Sequence, residues 1–497
     1  MTMMGRCSVP SAALQGVRAV PVSVEVSVSS GLPGFSIVGL ADTAVLESRE
    51  RVRSAIKAAG FSMPCDRIVV NLAPSSMRKR GTGFDLAIAL GVLIASGQLD
   101  RSFLDGRLFV GELSLEGEVR PIDGLLACAV LACRQGRAFV GPVAPDRLVA
   151  MEGARFLGIR SLAALSTAEL VRMDRFPPRP CARFPDYREV AGNDFAKRAL
   201  QIAAAGGHGV LMMGPPGSGK TMLASRLPSI LPPLSEDEAL ESALVHSVAG
   251  EPIGSLLAGV RPFRSPHHSA SSAGLIGGGS PLRPGEVSLA HNGVLFLDEL
   301  AEFRTAVLQG IRQPMEQGEV CITRAEASVS FPARFMFVGA SNPCPCGFFG
   351  DPERSCTCSE SQVSAYQNRI GGPLLDRFDL QIDVCRVPPS QVMEGQGAQT
   401  SEQLRAGVLR AREFLSWRQA RRPQSSGMKG LVEACELDAP DERFFVEAAR
   451  RSALSGRGMA RTLAVARTIA DIDERQGVQM DDLVEALGFR LRQGCAR

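Results

Sequence analysis

The chain has 497 residues, of which 45% are hydrophobic, 22% charged and 5% aromatic, with a formal net charge of +3. These ordinary fractions exclude wholesale disorder and a collagen-like repeat, and the length predicts roughly two to four domains that need no disulfide or metal staples. Near-neutral charge does not announce a nucleic-acid binder, and five lysines among 55 Lys+Arg fit a GC-rich genome as well as bidentate phosphate recognition. The longest apolar stretch, residues 84–95, contains Asp85 and is too short to span a bilayer. The N-terminus lacks the pattern of a secretory leader, so the expectation is a soluble cytoplasmic protein without membrane partners. Of the 13 cysteines, nine are scattered and read as small buried apolar residues, while four cluster.

In chain order, residues 1–172 mix strand-like runs at 20–28, 68–71, 108–110 and 138–140 with alanine-rich helical stretches. Residues 173–185 read as a linker, because the four prolines within 176–185 prevent regular structure. From 186 to 388 the pattern becomes strand–loop–helix with many glycines, as in a nucleotide-binding α/β domain. Residues 389–497 read as helical: 401–419, 441–455 and 459–474 carry apolar positions at three- and four-residue spacings. A final helix at 480–488 is entered through acidic residues, which suit a helix N-terminus.

Gly214-Pro215-Pro216-Gly217-Ser218-Gly219-Lys220-Thr221 matches G-x-x-x-x-G-K-[ST], after a short apolar strand (209–213) and before a helix start. Its glycines let backbone N–H groups turn toward phosphates, and the following helix N-terminus adds partial positive charge. In this pattern Lys220 reaches the β- and γ-phosphates and the Thr221 hydroxyl ligates Mg²⁺, so ATP and Mg²⁺ are the expected cofactors. Downstream, the apolar strand 293–297 ends in Asp298 and Glu299. Asp298 suits holding the metal through its waters, and Glu299 suits orienting and polarising an attacking water.

Residues 318–324 and 327–331 read as two strands around a tight Ala-Glu turn. The strand 334–341 then runs into Asn342. Cys344, Cys346, Cys356 and Cys358 follow in a C-x-C–x₉–C-x-C pattern on the glycine- and proline-rich loop 342–359. Four thiolates satisfy a tetrahedral structural Zn²⁺, although the one-residue gaps are tighter than usual; free or oxidisable thiols are the alternative. His267 and His268 lack other close ligands in the sequence and read as a structural or solvent-facing pair, with contact to DNA or a neighbouring subunit preferred over metal ligation.

The order of phosphate loop, Asp-Glu strand and Asn342 strand resembles the AAA+ ATPases. The resemblance implies that Asn342 senses the γ-phosphate. It also nominates Arg377, in Gly372-Pro-Leu-Leu-Asp-Arg-Phe-Asp-Leu380, as an arginine finger for the neighbouring subunit, a surface arginine paired with Asp376 or Asp379 being the alternative. In Ser455-Gly-Arg-Gly-Met-Ala-Arg461, Arg457 resembles the second sensor, with Arg461 as the other choice. Arg261-Pro-Phe-Arg-Ser-Pro-His-His-Ser-Ala, Gly274-Leu-Ile-Gly-Gly-Gly, Pro284-Gly-Glu-Val-Ser-Leu-Ala-His-Asn-Gly293, Asn342-Pro-Cys-Pro-Cys-Gly and Ala466-Arg-Thr-Ile-Ala-Asp471 resemble magnesium-chelatase-like ATPases, most closely the ComM (YifB) family, over essentially the whole chain.

That family resemblance implies a homo-oligomeric ring, hexameric in form, that drives branch migration on single-stranded or branched DNA during recombination of incoming DNA. It implies a pore-facing role for the 318–331 hairpin, where Arg324 is either a contact to DNA phosphate or an exposed arginine. Residues 71–85 and 117–126 resemble the proteolytic domain of Lon, but its serine and lysine positions fall on Gly83 and Leu126. Glycine offers no nucleophile and leucine accepts no proton. Ser75 and Ser76 lie nearby, but no lysine occurs between Lys79 and Lys197. The expectation is therefore a non-catalytic assembly or DNA-contact module, with Arg78-Lys79-Arg80 as a phosphate patch or a solvated basic turn. The expected fold is α/β: an AAA+ P-loop core with a helical C-terminal lid, preceded by an α+β Lon-protease-like (S5-like) domain. The competing functions are the ATPase subunit of a magnesium-chelatase-type complex, which the Lon-like region and the lack of a D-x-S-x-S motif argue against, and an ATP-gated scaffold or chaperone.

Overall fold

The computed structural model describes residues 5–167, 169–177, 183–280, 282–324, 327–394, 399–421 and 427–490, so positions 178–182 of the expected linker lie outside the described residues. The chain begins with a four-stranded sheet in the order Gly5–Gln15, Arg18–Ser29, Arg67–Ala73, Gly34–Val38. The first strand, absent from the sequence reading, carries Pro10 and sits at the sheet edge, where a missing N–H breaks no ladder. Pro21 lies in the second strand, before its pairing with the third begins at Ser23, so it also costs no bond on that side. Helix Asp85–Ala95 packs on this sheet with nearly every residue buried, as a helix apolar all round must be. A smaller sheet follows in the order Val171–Arg172, Phe156–Ile159, Ala138–Pro142, Arg107–Phe109, with helix Leu125–Arg134 beside it.

Beyond residue 186 lies a five-stranded parallel sheet in the order Phe263–Arg264, Val294–Leu297, Met336–Ser341, Val210–Met213, Leu380–Asp383. The three central strands, Val294–Leu297, Met336–Ser341 and Val210–Met213, are buried along their whole length and largely apolar because both faces are covered. All point the same way, so Met213, Leu297 and Ser341 deliver their following loops to one edge, the usual ligand edge of such a sheet.

Helices Ser401–Arg421, Gly427–Cys435, Ala439–Arg451, Gly456–Ile472 and Met480–Gly488 share one apolar cluster with a face of this sheet. Ser455, expected at the end of a helix, instead caps the next one by accepting the Gly458 N–H at 3.1 Å. Its short hydroxyl competes with the helical backbone and so favours the cap over the interior.

The two halves touch through a small core. Leu126 and Val130 pack with Leu234, Ala239, Ala243, Ile253 and Leu256, the Gly124 N–H donates to the Ser247 carbonyl at 2.7 Å, and Arg283 pairs with Asp123 at 3.1 Å.

Candidate nucleotide-binding site

The phosphate loop leaves the end of strand Val210–Met213 and feeds helix Lys220–Arg226. Gly217 and Gly219 have φ of +78° and +94°, and a Cβ at either would meet nothing within 4 Å. This left-handed backbone favours glycine and leaves the inside of the loop open for phosphate. The Ser218 hydroxyl is buried and makes no hydrogen bond among the described residues.

Lys220 is buried, and its ammonium donates to the Gly214 carbonyl at 2.7 Å, the Pro215 carbonyl at 2.9 Å and Asn342 Oδ1 at 3.2 Å. Burial lowers its pKa to about 8, against the opposing pull of Asp298 and Glu299. Thr221 Oγ1 donates to Asp298 Oδ2 at 2.6 Å. This hydroxyl–carboxylate pair is the donor set that a hydrated Mg²⁺ takes beside a triphosphate.

Glu299 follows Asp298 with φ of +51°, a left-handed conformation costly for a side chain that can be tolerated when surrounding structure fixes it. Its backbone N–H donates to Asp298 Oδ1 at 2.9 Å. Its carboxylate lies 3.1 Å from Nδ1 of His268. The sequence reading left His268 structural or solvent-facing, with contact to DNA or a neighbouring subunit preferred over metal ligation; the tertiary fold brings strand Phe263–Arg264 beside strand Val294–Leu297, and the loops that follow set the histidine against Glu299.

Thus Lys220, Thr221, Asp298, Glu299 and Asn342 converge at one edge of the sheet. The three nominated arginines do not. Residue 210 pairs with 380 and residue 213 with 383, so Arg377 precedes the strand at the end opposite the phosphate loop. Arg377 donates to the Pro373 carbonyl and to Glu316, not to Asp376 or Asp379. Arg457, largely exposed, lies 3.9 Å from the same Glu316 oxygen. Arg461 is tied at 2.6 Å to Asp379, which also accepts the Gly209 N–H at 2.8 Å.

The four clustered cysteines come together with their sulfurs all within 4.8 Å of one another. The hairpin forms from Glu319–Arg324 and Ala327–Pro332, with Val320 and Phe331 buried at its base; the Arg324 side chain lies outside the described residues. In the N-terminal half, Leu126 is buried among apolar side chains, and a Cβ at Gly83 would come within 2.8 Å of Ile122 Cδ1. Lys79 is fully buried with its ammonium on the Pro74 carbonyl, so it belongs to the core and cannot serve the expected phosphate patch.

A buried lysine in a glycine loop, a Thr–Asp pair and an Asp-Glu strand end, on a parallel sheet with a helical lid, define a P-loop nucleotide-binding protein. Residues 186–392 match the family described as magnesium chelatase, subunit ChlI, residues 24–144 that of subunit ChlI of Mg-chelatase, and residues 398–490 the ChlI C-terminal family. The chain is 42% identical to competence protein ComM of Haemophilus influenzae over 98% of both chains. It is 41% identical to the uncharacterized protein YifB of Escherichia coli, over 96% of this chain and 95% of that one. The magnesium-chelatase 67 kDa subunit of Chlorobaculum parvum is 30% identical over 32% of this chain and 23% of its own.

The chain belongs to the ComM/YifB family of magnesium-chelatase-like proteins. Membership implies ATPase activity with ATP and Mg²⁺. Among the described residues, no helix is long and apolar enough to cross a membrane. The match over 24–144 carries the chelatase description itself, so the N-terminal half does not by itself argue against a chelatase.

Proposed function

We infer that this chain is an ATP-hydrolysing, ring-forming DNA motor that acts in recombination of incoming DNA during natural transformation. The observation that carries the hydrolytic part is the convergence of Lys220, Thr221, Asp298, Glu299 and Asn342 on one open loop. The full-length similarity to a competence protein supports the DNA part.

In this reading the backbone of residues 214–219 and Lys220 hold the triphosphate, and Thr221 and Asp298 hold Mg²⁺, which screens charge on the phosphates. Asn342, tied to Lys220, reads the γ-phosphate. Glu299 accepts a proton from the water whose oxygen attacks the γ-phosphorus; the bond to the bridging oxygen breaks, releasing ADP and phosphate.

Arg377, at the strand-start end with Arg457 beside it, would face the phosphates of a neighbouring subunit, exchanging Glu316 for a more highly charged partner. Arg461, held by Asp379, would position the lid. The hexameric ring would place the 319–332 hairpin and Arg324 toward DNA, and the Lon-like N-terminal region would serve assembly or DNA contact without proteolysis. The four cysteines suit a structural Zn²⁺.

A chelatase-type ATPase subunit is the second reading, favoured by the three family matches that carry that description. ATPase rates with and without single-stranded and branched DNA test the two. Strong stimulation that Glu299→Gln abolishes supports the motor; a rate indifferent to every DNA overturns it.

A further inference from the structure

The cysteine loop lies directly behind the phosphate loop. Cys344 is two residues past Asn342, the partner of Lys220. Its sulfur sits 3.3 Å from that of Cys346 and 3.7 Å from that of Cys356, and Cys346 and Cys356 are 3.6 Å apart. A tetrahedron of sulfurs around one Zn²⁺, with bonds of about 2.3 Å, has edges of about 3.8 Å. The thiols are therefore gathered at the spacing of a single ion, too tightly for an iron–sulfur cluster, whose thiolates stand around several metals. The four are free cysteines. The Phe349 N–H donates to Cys344 Sγ at 3.3 Å and the Cys358 N–H to Cys356 Sγ at 3.4 Å, outer-shell bonds that orient ligands and moderate thiolate charge.

Two contacts carry this loop onto the phosphate loop. Gly347 has φ of +86°, and a Cβ there would come within 2.6 Å of Pro216 Cδ, so the Cys346–Gly347 turn abuts the proline ring. Arg386 donates to the Pro216 carbonyl at 3.2 Å. The same guanidinium lies 5.4 Å from the Phe348 ring centroid and 3.7 Å from the buried Asp351 carboxylate. Asp351 in turn accepts the N–H groups of Glu353 and Arg354 at 2.8 and 3.2 Å. Cysteine loop, Arg386 and Pro216 thus form one braced unit, with Asn342 at its root.

We propose that Cys344, Cys346, Cys356 and Cys358 bind one Zn²⁺ and that this metal-held loop is a strut fixing Pro216 and Asn342, so that metal occupancy sets ATP affinity. The proposal rests on the ATP-binding reading above. Zn²⁺ takes no part in hydrolysis; it replaces the missing core of a loop rich in glycine and proline, and the strut holds the phosphate loop in its binding shape before nucleotide arrives.

The test uses the full-length protein, metal analysis by mass spectrometry, and titration with a fluorescent ATP analogue. Wild type should carry about one zinc per chain. Iron or no metal overturns the site. Cys356→Ser with Cys358→Ser should lose the zinc and bind nucleotide about 10-fold more weakly. Because that variant can also fail to fold, Arg386→Ala and Gly347→Ala are measured beside it, with all four thiols in place. They should retain zinc yet bind nucleotide ~10-fold more weakly. Retained zinc with unchanged affinity in both overturns the strut while leaving nucleotide binding intact. A wild-type protein that carries zinc but binds no nucleotide overturns the ATP-binding reading, and the strut with it.

Discussion

The Nδ1 of His268 lies 3.1 Å from the carboxylate of Glu299, although the two residues stand in different loops, each following its own strand. The strands that lead into these loops, Phe263–Arg264 and Val294–Leu297, are neighbours in the parallel sheet, and Glu299 holds a left-handed backbone. In the proposed mechanism, His268 positions Glu299, the group that would activate water. His268→Ala should lower kcat for ATP hydrolysis about 10-fold and leave nucleotide affinity unchanged, because no hydrogen bond links His268 to residues 214–221 among the described residues. Steady-state ATPase assays paired with nucleotide titration check it; a fall in affinity with kcat intact would sink the assignment.

Lys220 offers a pH test. Burial depresses its pKa to about 8, so the free protein loses this positive charge as pH rises through that value. A bound triphosphate favours the ammonium and raises its pKa, so binding takes up a proton above pH ~8 and affinity weakens there by up to about tenfold per pH unit. Calorimetric titration at pH 8.5 in buffers of different ionisation enthalpy reads the uptake directly. An affinity independent of pH between 7.5 and 9 would contradict it.

The arginines of the lid separate by stability. Arg461 is partly buried and bonded to Asp379, which also anchors the Gly209 N–H. Arg461→Ala should cost about 1–3 kcal/mol, seen as a lower Tm. Arg457 is 73% exposed, and Arg457→Ala should stay within about 0.5 kcal/mol of the parent while lowering ATPase only in the assembled protein.

The contact between the halves rests on Leu126, fully buried against Leu234, Ala243 and Ile253. Leu126→Ala should destabilise by about 2–5 kcal/mol, and limited proteolysis should then cut between the halves sooner, at 173–185. An unchanged cleavage rate and Tm would show that the halves hold by other means.

The phosphate loop and the Asp298–Glu299 strand end were legible in the sequence because their chemistry is local. Backbone turns need glycine at set offsets, a strand must deliver carboxylates to the loop edge, and eight consecutive residues carry most of the phosphate site. The helix at 480–488 was legible for the same reason, periodicity and acidic capping being written in neighbouring residues. The strand Gly5–Gln15 was not, since Pro10 argues against a strand unless its edge position is known.

The sequence by itself determined a nucleotide-binding α/β chain, its phosphate loop, the Asp298–Glu299 carboxylates at a strand end, and a cysteine quartet of undecided use. Only the tertiary structure decided what each group faces. It set His268 on Glu299, Arg377 and Arg457 on Glu316, Lys79 in the core, and Gly347 against Pro216. These pairs join positions far apart in the chain, and their choice depends on strand order and on the polarity of a parallel sheet. The phosphate loop and Arg377 lie at opposite ends of two paired parallel strands, a separation that no local pattern of residues encodes.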